Sequence, residues 1–229
     1  MEESSPTTAA VRLTARGAKT RARIVAVAAD LMRVRGVGGT TLDDVVAASA
    51  VSKSQLYRHF PDKAALVRAV IEFVGDRKIA SERERLERVR TLSGLRRWRD
   101  AIVHDNAMQD GRYGCSLGSL ANEVADQDAI ARAKLEELFA AWQELFADAL
   151  ERLQRGGVVP ADADISRLAT GFVAAVQGGY LLAQTARDVT PMATAIDLAI
   201  SHLQLLAGAA DAGRDRSGAG AQPRSGTAR

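Results

Sequence analysis

Apolar side chains recur every three or four residues through most of the chain, which is the spacing of amphipathic helices. Near the N-terminus, Ile24, Ala28 and Leu31 form such a stripe and predict a helix over about residues 20–35. No run of alternating β-branched residues indicates a strand. The pattern therefore predicts an all-α fold of about nine helices and no sheet.

Two short helices are predicted between residues 42 and 59, separated by a tight connection at residues 49–51. Thr41 is placed to cap the first and Ser52 to cap the second. Pro61 suits the first helical position, N1, of a long fourth helix. Two short amphipathic helices at this separation predict a helix-turn-helix, whose second helix presents its first turn to the major groove of DNA.

Longer helices are predicted in the rest of the chain. Ser93 is expected to cap a helix that carries Trp98, and a helix of about residues 129–154 follows after a glycine-rich break. Asp162 or Asp164 opens a helix that reaches about residue 187. Pro191 opens the last helix, which is expected to end near residue 206.

Small side chains cluster in the last two predicted helices. Gly178 and Gly179 each cost a helix about 1 kcal/mol, and close approach of another helix is the usual compensation. The small or apolar residues that share this region are Ala174, Ala175, Ala183, Ala195, Ala199, Leu203 and Leu206. They predict a four-helix homodimer interface, and a ligand pressed against the two glycines is the alternative explanation.

Charge and composition narrow the class of protein. Residues 1–68 carry 11 Lys and Arg against 6 Asp and Glu, whereas residues 101–210 carry 7 against 14, so the basic N-terminal part is expected to meet a polyanion. The single cysteine, the polar N-terminus and the lack of a membrane-length apolar run predict a cytoplasmic protein. Residues 1–17 and 211–229 are predicted to be disordered.

Polar side chains on and beside the second short helix are the candidates for DNA contacts. Gln and Arg can pair with the edges of adenine and guanine. The outward-facing candidates for base contacts are Lys53, Ser54, Gln55 and Arg58, and the donors suited to phosphates are Tyr57, His59 and Lys63.

These residues resemble the DNA-binding domain of TetR-family transcriptional regulators. The likeness spans about residues 20–68 and is most specific in Leu56-Tyr57-Arg58-His59-Phe60 followed by Lys63 and Leu66. It implies that Thr41, Tyr57, His59 and Lys63 contact phosphates and that Lys53, Ser54, Gln55 and Arg58 face bases. It also implies a DNA-binding domain over 18–68, a helical ligand-binding and dimerisation domain over 69–210, and repression of transcription from a palindromic operator.

One position departs from the family pattern. Ala50 lies in the turn where the family usually has glycine, and a left-handed conformation there costs alanine about 1 kcal/mol. The turn is therefore expected to be slightly reshaped, which leaves the motif intact.

Large side chains between residues 90 and 190 predict an apolar cavity for a small effector, with an ordinary packed core as the alternative. The residues expected to line it are Trp98, Ile102, Met108, Leu117, Leu120, Phe139, Trp142, Phe172, Val176, Gln177 and Tyr180. Cys115 is either a redox sensor or a small buried filler.

Two other classes of protein remain as alternatives. The chain has no phosphate-binding loop, HExxH motif or nucleophile elbow, and its three histidines are far apart in sequence, so neither catalysis nor a metal or other cofactor is expected. A helical-bundle enzyme is the weaker alternative. An architectural DNA-binding protein without an effector is the stronger one, although the acidic part of the chain disfavours coating of DNA.

Overall fold

The computed structural model describes residues 14–218, which form nine helices and no strands, as the sequence predicts. The helices are α1 (Ala15–Arg35), α2 (Leu42–Ser49), α3 (Lys53–His59), α4 (Lys63–Leu86), α5 (Leu92–Ala107), α6 (Ser116–Val124), α7 (Ala129–Arg155), α8 (Ile165–Ala186) and α9 (Thr190–Gly218). They fall into two compact units that divide between Phe73 and Val74, within α4.

The first unit is a three-helix domain completed by the start of α4. Its core contains Ile24, Val45, Leu56, Phe60 and Leu66, each at most 2% exposed. Each of the helices α1 to α4 contributes at least one of these residues. Burial of these apolar side chains therefore holds α2 and α3 against α1 and the start of α4. Helix α3 is thereby fixed by its apolar side, and its polar side stays exposed.

Capping side chains set the ends of α2 and α3. The Thr41 hydroxyl accepts from the Asp44 amide, and the Asp44 carboxylate accepts from the Thr41 amide. Ser52 and Gln55 form the same reciprocal pair at the start of α3. The predicted N-caps at Thr41 and Ser52 are therefore confirmed, and each pair satisfies two amides that a helix start leaves unpaired.

The turn between α2 and α3 does contain a left-handed alanine. Ala50 has φ 52° and ψ 42°, the conformation that glycine adopts without strain. We expect Ala50→Gly to raise the free energy of unfolding by about 1 kcal/mol because the Cβ strain disappears. Urea denaturation followed by circular dichroism measures this change.

The matched control for this turn is Ala47→Gly. Ala47 is exposed within α2, where glycine costs about 1 kcal/mol instead of relieving strain. Opposite signs for the two substitutions support the strained turn. Equal losses of stability would contradict it.

Three predicted helix starts are wrong, in each case because another polar side chain caps the helix. Helix α1 begins at Ala15 rather than Thr20, since the Thr14 hydroxyl accepts from the Gly17 amide. Helix α4 begins at Lys63, after Pro61. The Asp62 carboxylate accepts from the Ala65 amide at 2.7 Å and so caps the N-terminus of this helix.

Helix α5 is the third case, because it is capped by Thr91 and not by Ser93. The Thr91 hydroxyl accepts from the Gly94 amide at 3.1 Å. Helix α8 is capped by Asp164, one of the two predicted alternatives. Helix α9 begins at Thr190, so Pro191 lies in its first turn as expected.

The second unit is built around α7 and α8. Helix α8 packs against both α7 and α9, and α5 packs against α9. Gly179 is required for one of these contacts, because a Cβ there would lie 2.9 Å from the Cα of Met192 on α9. Gly178, beside it, has open space where a Cβ would be. The two adjacent glycines therefore have different structural roles.

Helix α9 continues well past Leu206, where the sequence predicts its end. Residues 211–218, which the sequence assigns to a disordered tail, are helical. Residues 1–13 and 219–229, which hold the remainder of the two predicted disordered ends, lie outside the described residues. Among the helices of residues 14–218, none combines the length and the hydropathy that a membrane crossing requires.

Candidate DNA-reading helix and buried polar cluster

Helix α3 presents one polar face to solvent. Leu56 on its inner side is fully buried, and Phe60 beyond its end is 2% exposed with the Arg21 guanidinium 5.2 Å from its ring centre. The four residues predicted to face bases, Lys53, Ser54, Gln55 and Arg58, are all exposed. The sequence thus predicts correctly which side chains of this helix are accessible.

Two of these four side chains already have partners within the first unit. The Gln55 Oε1 accepts from the Ser52 amide at 2.8 Å, which leaves the Gln55 amide group free for another partner. The Lys53 ammonium lies 2.8 Å from Asp43, and this hydrogen bond raises the pKa of Lys53. A capping role for Gln55 could have been read from the spacing Ser52-x-x-Gln55, which is that of a capping box.

The residues predicted to contact phosphates lie in or directly after the helix-turn-helix. The Thr41 hydroxyl donates to the Asp44 carboxylate at 2.6 Å, which with the Thr41 amide lowers the pKa of Asp44. Tyr57 is 46% exposed, whereas His59 is partly buried and its Nδ1 has no hydrogen-bond partner. Lys63 is partly buried at the start of α4.

Aromatic rings from α5, α7 and α8 meet in the second unit. Trp98 packs edge-on against Phe146 at 5.0 Å between ring centres, and Phe146 stacks on Phe172 at 5.3 Å. Phe139 stacks on Trp142 at 6.4 Å. The rings form two groups, Trp98 with Phe146 and Phe172, and Phe139 with Trp142. All except Phe146 are among the residues that the sequence predicts to line an effector cavity.

A buried ion pair lies beside these rings. The fully buried Glu82 accepts from the Lys78 ammonium at 2.7 Å through Oε1 and from the Trp98 indole at 2.9 Å through Oε2. The same ammonium lies 4.4 Å from the ring centre of Trp142 and 5.8 Å from that of Tyr180. We call these five residues the buried polar cluster.

The electrostatics of the cluster keep Lys78 protonated. Burial is the largest influence on its pKa and lowers it, but Tyr180, Glu82 and Cys115 together raise the pKa above its usual range. For the Tyr180 hydroxyl, whose charged form is the anion, burial raises the pKa. Both groups therefore remain hydrogen-bond donors at neutral pH.

The other residues predicted to line the cavity are mostly buried in the second unit. Ile102, Leu117, Leu120 and Val176 are each at most 5% exposed, and the Gln177 amide donates to Cys115 Sγ at 3.4 Å. Met108 differs, because it is 74% exposed at the end of α5 and points away from this core. Cys115 is a buried free thiol.

An open groove of about 860 Å³ lies between the first half of α8 and residues 195–206 of α9. Of the predicted lining residues it includes only Phe172. Its other residues include Asp164, Gly171, Ala199 and His202. The groove and the buried polar cluster are therefore different features of the second unit.

Two family models match the chain, and together they span both of its units. Residues 24–70 match the model described as bacterial regulatory proteins of the tetR family. Residues 91–198 match the C-terminal domain described as that of the LmrA/YxaF-like transcriptional regulators. The chain belongs to the TetR family of transcriptional regulators. It is accordingly a DNA-binding regulator with a helix-turn-helix, from a family that acts by binding DNA and forming dimers and is not enzymatic.

Individual relatives agree with this assignment. This TetR-family chain is 29% identical over 161 residues to the transcriptional repressor DhaR of a Mycobacterium species. The matched region covers 69% of this chain and 79% of the relative. An uncharacterized HTH-type regulator of Lactococcus lactis is 27% identical over 184 residues, 78% of this chain and 90% of that protein. A TetR regulatory protein from Rhodobacter sphaeroides shares the fold, with a TM-score of 0.73 at 22% identity over 80% of this chain and 98% of that one.

Proposed function

We propose that this TetR-family regulator is a repressor that binds a palindromic operator as a homodimer and is released by a small apolar effector. The observation that carries the proposal is the exposed polar face of α3, fixed from behind by buried Leu56 and Phe60. A helix held in this way can enter the major groove as a rigid element. The similarity to a relative named as a repressor supports repression.

Within this proposal, Arg58 and Gln55 read bases and Lys63 binds a phosphate. Arg58 is exposed on the outer face of α3, where a guanidinium can pair with the O6 and N7 of guanine. Gln55 can still donate through its amide group while its Oε1 caps the helix. Lys63 lies beyond the recognition helix, so its ammonium suits the backbone rather than a base edge.

We expect Gln55→Glu to change base preference without loss of fold. Glutamate keeps the capping box, because its carboxylate can accept from the Ser52 amide, but it can no longer donate to adenine and favours the amino group of cytosine. The discrimination at one base pair should change by about 1–3 kcal/mol. Binding of an operator series, altered one base pair at a time, measures the change.

The matched control for base reading is Lys63→Ala. Removal of one phosphate contact should weaken binding to all the DNA sequences about equally and should reduce the slope of log affinity against log salt by about one unit. A change of base preference in Lys63→Ala, or none in Gln55→Glu, would contradict the proposed docking of α3.

The proposed dimer face lies on the exposed side of α8 and α9. Leu181, Leu182, Leu198 and Leu205 are each more than half exposed, and exposed Gly178 lies on the same helix as the first two. Such an apolar surface beside a small residue suits close packing of a second copy into a four-helix bundle. A homodimer through the last two helices therefore remains our proposal.

Of the α9 residues that the sequence assigns to this face, Leu203 does not fit, whereas Ala195, Ala199 and Leu206 are partly exposed. Leu203 is buried within the chain, and Ala195, Ala199 and Leu206 line the groove beside α8. The most exposed large side chains of this stretch of α9 are Leu198 and Leu205, which the sequence does not single out. Side chains at both sets of positions recur at helical spacing, and only the packing of α9 on α8 distinguishes them.

Effector release needs a route from the second unit to α3. Helix α4 is continuous from Lys63 to Leu86, and so carries both the proposed phosphate contact and the Lys78–Glu82 pair. An effector that binds more tightly to a conformation in which α4 is displaced lowers the fraction of molecules that can bind the operator. A tenfold loss of operator affinity requires about 1.4 kcal/mol of differential binding.

A reporter assay tests the proposed function. A promoter that overlaps the bound DNA site should be transcribed less in the presence of the protein, and the Arg58→Ala variant should restore transcription. Activation, or repression that Arg58→Ala leaves unchanged, would contradict the proposal. Footprinting examines the alternative of an architectural protein, which protects no discrete site, whereas a repressor protects a short inverted repeat.

A further inference from the structure

The buried polar cluster contains a hydrogen-bond donor that has no partner. The Trp142 side chain is fully buried and its indole Nε1 makes no hydrogen bond. The comparable indole of Trp98 donates to Glu82. A buried unpaired donor has lost its hydration without gaining a replacement, so an acceptor that reaches it gains a hydrogen bond at no further desolvation cost to the protein.

The ammonium beside this indole also has unused donor capacity. Lys78 has three N–H groups, and Glu82 accepts from one of them. Lys78 lies deep enough for burial to be the largest influence on its pKa. Even so, 20% of its side-chain surface remains accessible to solvent. Solvent therefore reaches this ammonium-bearing side chain, and Tyr180 and Gln177 of helix α8 are also partly accessible. We refer to this partly accessible place beside Lys78 as the recess.

The charges of the cluster select against an anion. Glu82 already neutralises Lys78, and both Glu82 oxygens are occupied, by Lys78 and Trp98. The other nearby cation, Arg85, is paired with Asp105. A bound carboxylate would add a buried negative charge without a counter-charge, which is strongly unfavourable. A neutral acceptor such as a carbonyl oxygen brings no net charge, and the rings of Phe139, Trp142 and Tyr180 suit an apolar body.

We infer that the recess beside Lys78, Trp142 and Tyr180 binds a neutral carbonyl compound with an apolar body, whose oxygen accepts a hydrogen bond from Trp142 Nε1. Small movements of the Lys78 side chain across the Trp142 ring admit the oxygen, and the second ammonium N–H provides a further donor. The binding chemistry follows from the cluster, whereas the role of this compound as the effector rests on the proposed function.

Calorimetric titration of the full-length protein tests the inference with three bicyclic probes. α-Tetralone is a neutral ketone, tetralin has the same ring skeleton without an acceptor, and 1-naphthoate is a similar anion. We expect α-tetralone to bind about tenfold more tightly than tetralin, since one neutral hydrogen bond to a buried donor contributes that much. We expect 1-naphthoate to bind more weakly than α-tetralone.

The substitution Trp142→Phe identifies the donor. It removes Nε1 and keeps an aromatic ring, so the preference for α-tetralone over tetralin should disappear while the affinity for tetralin stays within about twofold. Trp98→Phe is the matched control, because its indole already donates to Glu82 and should not determine the preference. In the wild-type protein, the carbonyl stretching band of bound α-tetralone should shift to lower frequency, which needs no variant.

Three results would overturn the inference: equal binding of ketone and hydrocarbon, tighter binding of 1-naphthoate, or no binding of any probe, which would leave only water in the recess. Operator release is measured separately by fluorescence anisotropy of labelled DNA. If α-tetralone binds through Trp142 without releasing DNA, the ligand class stands and its role as effector fails. If other compounds release DNA while α-tetralone does not bind, the ligand class fails and the proposed function stands.

Discussion

Replacing Gly178 with leucine is expected to convert the dimer into a monomer and to weaken binding to a palindromic operator by about 10²–10⁴-fold. Gly178 is exposed on α8 and has open space around the position of a Cβ, so the larger side chain fits the isolated chain. It would project into the surface proposed to meet the second copy. Because two linked reading heads bind far more tightly than one, loss of the dimer removes most of the operator affinity.

Sedimentation velocity measures the oligomeric state of this variant, and anisotropy measures its operator affinity. The control is the neighbouring Gly179→Ala, whose Cβ would approach the Cα of Met192 to 2.9 Å within one chain. That control should lower the unfolding free energy while the protein stays a dimer, whereas Gly178→Leu should remain folded as a monomer and lose only the concentration-dependent stabilisation that a second copy provides. A Gly178→Leu variant that remains a dimer would contradict the proposed face.

The second large effect is expected from Lys78→Met. Glu82 is fully buried, and loss of its ammonium partner leaves a buried carboxylate that only Trp98 stabilises. Breaking a buried ion pair from one side costs about 3–5 kcal/mol of stability. Urea denaturation measures the loss, and Glu82→Gln in the same chain should recover much of it, since the amide carries no charge and its oxygen can still accept from Trp98.

An exposed pair provides the control for the buried one. Arg132 and Glu136 on α7 lie 3.2 Å apart with the same spacing of four residues, but their side chains are 57% and 74% exposed. Arg132→Met should therefore change stability by no more than about 0.5 kcal/mol. Similar effects of Arg132→Met and Lys78→Met would show that the burial of Glu82 has no energetic consequence.

The N-terminal unit could be predicted from sequence because its determinants are local. Capping side chains, turn length and an apolar stripe act within a few residues, so Thr41, Ser52 and the exposed side of α3 were all identifiable. The errors there are also local. Helix α4 begins after Asp62, which caps it, and not at Pro61. Gln55 caps α3 through its side-chain oxygen, in addition to exposing its amide group.

The second unit was predictable only in outline, because its site depends on contacts between distant residues. Lys78 and Glu82 are four residues apart on a helix, a pattern that usually indicates a solvated surface pair. Only the packing of Trp98, Trp142 and Tyr180 around them makes the pair buried. In the same way, the rotation of α9 on α8 decides whether Leu198 or Leu203 is exposed, and helical spacing alone permits either.

The most direct test of the central claim, that two copies of α3 read a palindrome, is selection of bound DNA from a random-sequence pool by the full-length protein. We expect an inverted repeat whose half-sites are centred about one helical turn apart or a multiple of it, ~34 Å for a single turn. We also expect that Arg58→Ala loses preference at one guanine in each half-site. Enrichment of a single half-site, or of no shared sequence, would contradict the account.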